Sequence, residues 1–245
     1  MNKKYKVLIA NLFTYSGGGV YVTVSIAQML AEAGHKVYLF SLNGLNERDL
    51  DAMYGTSLSR FINKNLHVIY LGIPAWIRPK TFLLRLFIYA FKDITKRIKP
   101  DVIFVFDDVP SFLAEDSYKD IKVILYSHFP IHGHKIVLHH NSLKWRIIDR
   151  SAIILASRVN YLGRPPDNWY VIANSRITAL FLNKLLGRVD LVLYPPVNSL
   201  SINNNSIIEN KDRVIVSIGV MEPGKRFEVI IRAMKNIRDG KLIIM

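Results

Sequence analysis

Four places in this 245-residue chain gather residues suited to chemistry. Gly17-Gly18-Gly19 follows an apolar run and directly precedes a segment of helical period. Backbone N–H groups there, added to the positive end of a helix dipole, suit a phosphate or another anion. The alternative is a glycine-rich turn with no ligand. A dinucleotide-binding G-x-G-x-x-G would need glycine where Val22 stands, and an acid where the second strand ends in Phe40-Ser41-Leu42. A nicotinamide dinucleotide site fails on both counts.

The run Gly219 to Arg226 comes close to a P-loop between a strand and a helix. Arg226 stands where the magnesium-binding Ser/Thr belongs, and the 20 residues after Lys225 offer no Walker B carboxylate. An ATPase is therefore disfavoured, with nucleotide binding through residues 219–226 kept as the weakest reading. Lys225 and Arg226 suit a diphosphate clamp or, equally, a solvated turn.

Five of the seven histidines, His128, His132, His134, His139 and His140, fall just after the apolar run 122–126. That is the carboxyl end of a strand, where open α/β sheets bind ligands. No acid or cysteine interleaves them and no zinc spacing fits, so no metal is expected. His128 is read as a catalytic or phosphate-contacting residue, or else as a structural histidine. Asp107-Asp108 are adjacent rather than alternate, so they do not make an Asp-x-Asp metal clasp. An acid-capped turn before Val109-Pro110 is the ordinary account.

Residues 76–99 carry seven basic side chains against Asp93. Leu83, Phe87, Phe91, Ile94 and Ile98 form an apolar stripe through them. Either a basic helix lies on anionic lipid through Arg78, Lys80, Arg85 and Lys92, or a sheet-covering helix keeps a solvated basic face. Over the whole chain, 33 Lys+Arg against 19 Asp+Glu leave a net charge of +14, which favours anionic partners. Nucleic acid is not expected, since neither a recognition helix nor a stacking platform is evident. The absence of cysteine excludes disulfides and thiol nucleophiles and fits a reducing compartment. Neither Val7–Ala10 nor Phe82–Phe91 is long enough for a signal core or a membrane span, which needs about 20 apolar residues. The expected location is the cytoplasm, peripheral on the inner face of the membrane.

Half the residues are hydrophobic, enough for a sizeable core. Expected strands are 6–11, 36–41, 67–71, 102–106, 122–126, 169–173, 189–194 and 213–218, several of them unbroken Val/Ile/Leu runs of the kind buried on both faces. Expected helices are 20–33, 81–98, 141–156, 177–186 and 227–236. This alternation predicts an α/β fold with a Rossmann-like parallel sheet. Residues 1–197 form the first domain, the polar stretch 198–212 a linker, and 213–245 the first βαβ of a second.

Taken in order, the motifs resemble the GT-B glycosyltransferases of family 4, the "group 1" enzymes. The resemblance rests on Gly18-Gly19-Val20 with Leu30 to Val37, on Lys99-Pro100-Asp101-Val102-Ile103, and on Val171 to Ser175. Tyr194-Pro195-Pro196-Val197 and the stretch from Val216 to Lys225 continue it. Tyr126-Ser127-His128-Phe129-Pro130 is similar to mannosyltransferases that build lipid-linked oligosaccharides.

The resemblance implies two Rossmann-like domains facing across a cleft, acceptor on the first and nucleotide-sugar donor on the second. It implies metal-free transfer of a hexose with retention to a lipid-linked or other glycan acceptor, the donor acting as co-substrate. Gly18, Gly19, Lys225 and Arg226 would hold the diphosphate, and His128 would lie near the transferred sugar as the catalytic residue. Tyr126, Asn174 and Ser175 would line the acceptor cleft. Val220 stands where the family has arginine, and the family's Glu-x7-Glu donor motif is not among these 245 residues. A complementing subunit, or an inactive acceptor-binding or membrane-associated remnant, is therefore the alternative expectation.

Overall fold

A computed structural model describes residues 3–11, 17–44, 46–73, 80–107, 109–128, 161, 163–197, 213–219, 221 and 225–245. The chain divides into two compact units, Met1–Asn198 and Ser199–Met245.

In the first unit, runs of Val, Ile, Leu and Phe form seven strands. They are β1 (Lys6–Ala10), β2 (Lys36–Ser41), β3 (Leu66–Tyr70), β4 (Val102–Phe106), β5 (Lys122–Ser127), β6 (Trp169–Ala173) and β7 (Leu191–Val192). They form one sheet in the order β3-β2-β1-β4-β5-β6-β7, with every pairing parallel. This is the Rossmann-like α/β sheet that the alternation of elements predicts. After β3 the chain returns to lay β4 beside β1, so the strand order reverses between those two, and the ligand crevice of such sheets opens there.

The last strand is shorter than the expected 189–194. The Asp190 carboxylate accepts from the Val171 N–H at 2.8 Å in place of a ladder bond, and the prolines that follow have no N–H to pair.

Helix α1 (Gly18–Glu32) starts two residues before the expected boundary. Val20, Val22, Thr23, Val24 and Ile26 are β-branched and intrinsically poor in helices, yet all are buried, so packing on the sheet outweighs propensity. Gly34, at φ 82°, turns the chain into β2, a left-handed conformation that favours glycine. Helix α2 (Glu47–Tyr54) was not expected, because it buries no residue and so shows no apolar period. Its ends carry the signal instead: the Asn46 side chain accepts from the N–H groups of Arg48 and Asp49, and Gly55 closes the helix at φ 64°.

Helices α3 (Lys80–Ile98) and α4 (Arg176–Leu186) cover the other face. The core accordingly forms two clusters. Leu8, Ile103, Val105, Val123, Leu125 and Val171 pack with Phe87 and Phe91 of α3 and Leu182 of α4. Val7, Ile9, Val37, Leu39, Phe104 and Tyr126 pack with Val20, Val24, Ala27 and Ala31 of α1.

This packing matches the sheet-covering alternative for α3. Its aromatic stripe is spent on the sheet: Phe87 stacks on Phe40 at 4.8 Å, and Phe91 meets Phe112 edge-on at 5.5 Å. Lys92 bonds Glu115 at 2.8 and 3.0 Å with its ammonium over the Phe112 ring, so it is not a free cation. Arg85 is exposed. Arg78, the Lys80 side chain, the expected helix 141–156 and His132, His134, His139 and His140 lie outside the described residues. Among the described residues no helix is long and apolar enough to cross a membrane.

The second unit holds β8 (Val214–Ser217), α5 (Phe227–Ala233) and β9 (Lys241–Ile244), one βαβ with parallel strands. The expected helix 227–236 ends as a tighter 3-10 turn at Met234–Asn236.

Candidate active site at the carboxyl ends of the sheet

The turn that opens α1 is fastened from two sides. Thr23, fully buried, donates its hydroxyl to the Gly19 carbonyl at 2.9 Å and accepts from the Asn11 amide at the end of β1. On the other side the Tyr54 hydroxyl accepts from the Gly17 N–H at 2.8 Å and donates to the Gly17 carbonyl at 3.1 Å, while its ring stacks on Tyr21 at 5.4 Å. Sequence reasoning missed Asn11, Thr23 and Tyr54. Asn11, polar at the end of β1, was the available signal; Thr23 and Tyr54 lie within α1 and α2. The fastened turn leaves Gly18 open, since a Cβ there would meet nothing within 4 Å among the described residues.

Gly19 is where the site closes. A Cβ added there would lie 3.7 Å from Cε1 and 3.8 Å from Nε2 of His128. His128 follows directly after β5, with its imidazole stacked on Phe106 at 5.7 Å and met edge-on by Tyr126 at 5.1 Å. Its Nε2 is buried and has no partner among the described residues. From the other side the Asp107 carboxylate accepts the His128 backbone N–H at 2.6 Å through one oxygen and faces Nδ1 at 3.2 Å with the other. Asp107 sits at φ 57°, a left-handed conformation that Asp and Asn tolerate better than most residues. Sequence reasoning took it for a turn acid. The sheet places it at the carboxyl end of β4, beside the switch point.

The residues expected at the acceptor cleft have structural work instead. Tyr126 is 1% exposed and donates its hydroxyl to the Leu193 carbonyl at 2.9 Å, so it supports His128 rather than facing a cleft. Burial, and then the charge of Asp107, push its hydroxyl pKa above the usual tyrosine value. Ser175 caps α4 by accepting from the Thr178 N–H at 3.2 Å, and the Asn174 side chain accepts from the Thr178 hydroxyl at 2.7 Å. Both are held at a helix start because Ser and Asn side chains satisfy first-turn donors.

In the second unit, Lys225 is exposed and its stem lies 3.6 Å from the Cβ position of Gly219. Arg226 sits at φ 54° and pairs with Glu228 at 3.3 Å. Val220 and Gly224 lie outside the described residues. Among the described residues no three His, Asp or Glu side chains gather as a metal site would need.

A parallel sheet whose strand order reverses between β1 and β4 defines a Rossmann-like α/β domain. The sequence matches Glycosyltransferase Family 4 over residues 16–198, most of the chain, and the chain belongs to that family. No curated protein matches it. Among solved structures, sucrose-phosphate synthase from Thermosynechococcus elongatus superposes with a TM-score of 0.62 at 14% identity, over 97% of this chain and 61% of its own. A glycosyltransferase from Rickettsia africae gives a TM-score of 0.52 at 15% identity, over 99% of this chain and 69% of its own. At such identities the likeness is one of fold. The chain spans about three fifths of the synthase's length.

Proposed function

We propose that the chain transfers a hexose, with mannose the first candidate, from a nucleotide sugar to a lipid-linked or other glycan acceptor with retention. One observation carries this reading: His128 turns its Nε2, unpartnered among the described residues, toward Gly19 at the N-terminus of α1 in a family 4 glycosyltransferase sheet. The reading gives each group a task. The N–H groups of Gly18 and Gly19 face the donor diphosphate with the helix dipole, equivalent to about half a positive charge, behind them. His128, with Phe106 stacked on it and Tyr126 against its edge, contacts the transferred sugar and polarises a reacting oxygen. In the second unit, Lys225, with Arg226 beside it, makes a diphosphate contact. The donor is a co-substrate, and the reading requires no metal. An anionic membrane surface remains the proposed location of a lipid-linked acceptor, with the exposed Arg85 among the cations available to it.

The test uses the full chain with GDP-mannose, UDP-glucose and UDP-N-acetylglucosamine, measuring binding and release of labelled sugar. His128→Ala is expected to lower turnover by about a hundredfold or more, and Lys225→Ala to weaken donor binding. A chain that binds none of the three, or a His128→Ala variant as active as wild type, overturns the proposal.

A further inference from the structure

We propose that Asp107 is a positioning residue, fixing the tautomer and orientation of the His128 ring; its effect on turnover rests on the sugar-transfer reading above. The geometry leaves the imidazole few choices. One Asp107 oxygen takes the His128 backbone N–H at 2.6 Å and the other faces Nδ1 at 3.2 Å. Asp107 is itself tied to the same strand, its N–H donating to the Tyr126 carbonyl at 3.1 Å. A carboxylate only accepts hydrogen bonds, so Nδ1 must carry the ring hydrogen of the neutral imidazole. Nε2 then presents its lone pair, and it is this atom that is buried, unpartnered among the described residues, and turned toward Gly19. Phe106 stacked on one face and Tyr126 against the edge resist the ring flip that would exchange the two nitrogens. The left-handed backbone at Asp107, φ 57°, aims the carboxylate back at the neighbouring strand instead of out along its own. His128 is thereby held ready to accept a hydrogen bond from a bound ligand. An acid that orients an imidazole through one nitrogen and leaves the other to the substrate is a recurrent catalytic arrangement.

The backbone angle makes clean variants possible. Asparagine tolerates the left-handed conformation and keeps an oxygen for the His128 N–H, but its NH2 donates to Nδ1 and forces the hydrogen onto Nε2. Glycine keeps the backbone angle and removes the side chain altogether. In the full chain with isotope-labelled histidine, NMR shifts of the ring nitrogens read the tautomer directly. Wild type is expected to show an unprotonated Nε2, Asp107→Asn a protonated one, and Asp107→Gly a mixture. In both variants kcat for sugar transfer is expected to fall at least about tenfold, with the KM for nucleotide sugar changing less than about twofold. A wild-type Nε2 that carries the hydrogen overturns the inference, as do unchanged ring signals in Asp107→Asn. A reversed tautomer in Asp107→Asn, alongside a His128→Ala variant as active as wild type, upholds Asp107's control of the ring and discards the sugar-transfer reading instead.

Discussion

Two of the glycine-bearing turns that lead from a strand into a helix, Gly17 to Gly19 and Gly219 to Arg226, differ in what surrounds them. Gly219 to Arg226 stands nearer to a known phosphate-binding spacing than Gly17 to Gly19 does. Yet it leads into a helix of only 7 residues, opened by Arg226 in a left-handed conformation and flanked by an exposed Arg226–Glu228 pair. The Gly17–Gly19 turn opens a helix of 15 residues, is bonded from two sides by Thr23 and Tyr54, and has His128 packed against it. Glycine spacing marks where a backbone can approach a ligand. The partners that hold the turn still, and the side chain that faces it, make the difference between a turn and a site.

The comparison breaks most sharply at Gly19. A single methyl there finds ordinary van der Waals distance to His128, 3.7 Å, so Gly19→Ala is expected to fold and bind donor nearly as wild type. Gly19→Val drives a second carbon into the imidazole, and a loss of about 1–3 kcal/mol in stability is expected by thermal melting, with donor binding abolished. Tyr54→Phe deletes both bonds to Gly17, and about 1 kcal/mol is the expected loss, with a raised KM for nucleotide sugar as the functional sign. Equal KM values in Tyr54→Phe and wild type would mean that the clamp is unrelated to binding.

Acid should loosen the same clamp. Burial alone would raise the pKa of Asp51 on α2, but hydrogen bonds from Ser59, Thr56 and the N–H groups of Ser59 and Leu58 outweigh it and hold the carboxyl below its usual value. A depressed folded pKa contributes stability above the unfolded value of about 3.9, and that stability is lost as pH falls through the lower folded value. Protection of the Gly17 amide, measured against the intrinsic exchange rate at each pH, is therefore expected to fall below about pH 4, and Asp51→Asn to remove that dependence. The smallest effect belongs to the other turn. Arg226→Gly relieves a left-handed side chain but frees the unfolded chain, so the expected change in stability is under about 1 kcal/mol.

The contrast also shows what the sequence holds. The parallel sheet was legible because β1, β2, β4 and β5 are apolar runs mostly buried on both faces, and α1 because Gly34 marks its end. Helix α2 was not, since an exposed helix has no apolar period and only Asn46 and Gly55 announce it. At the site, Gly18, Gly19 and His128 were legible by type and position. Asp107 was hidden because a left-handed backbone angle, not its neighbours in sequence, turns it onto His128. The structural bonds of Tyr126, Asn174, Ser175 and Lys92 were not legible for a related reason: residue type gives the capacity to bond, whereas the fold decides with what.

The most direct measurement of the central claim is to titrate the isotope-labelled full chain with GDP-mannose and UDP-glucose and follow the Gly18 and Gly19 amides together with the His128 ring. The account predicts that the three respond together, with one affinity, and that Gly19→Val abolishes the response. A nucleotide sugar that binds while these resonances stay still would contradict it.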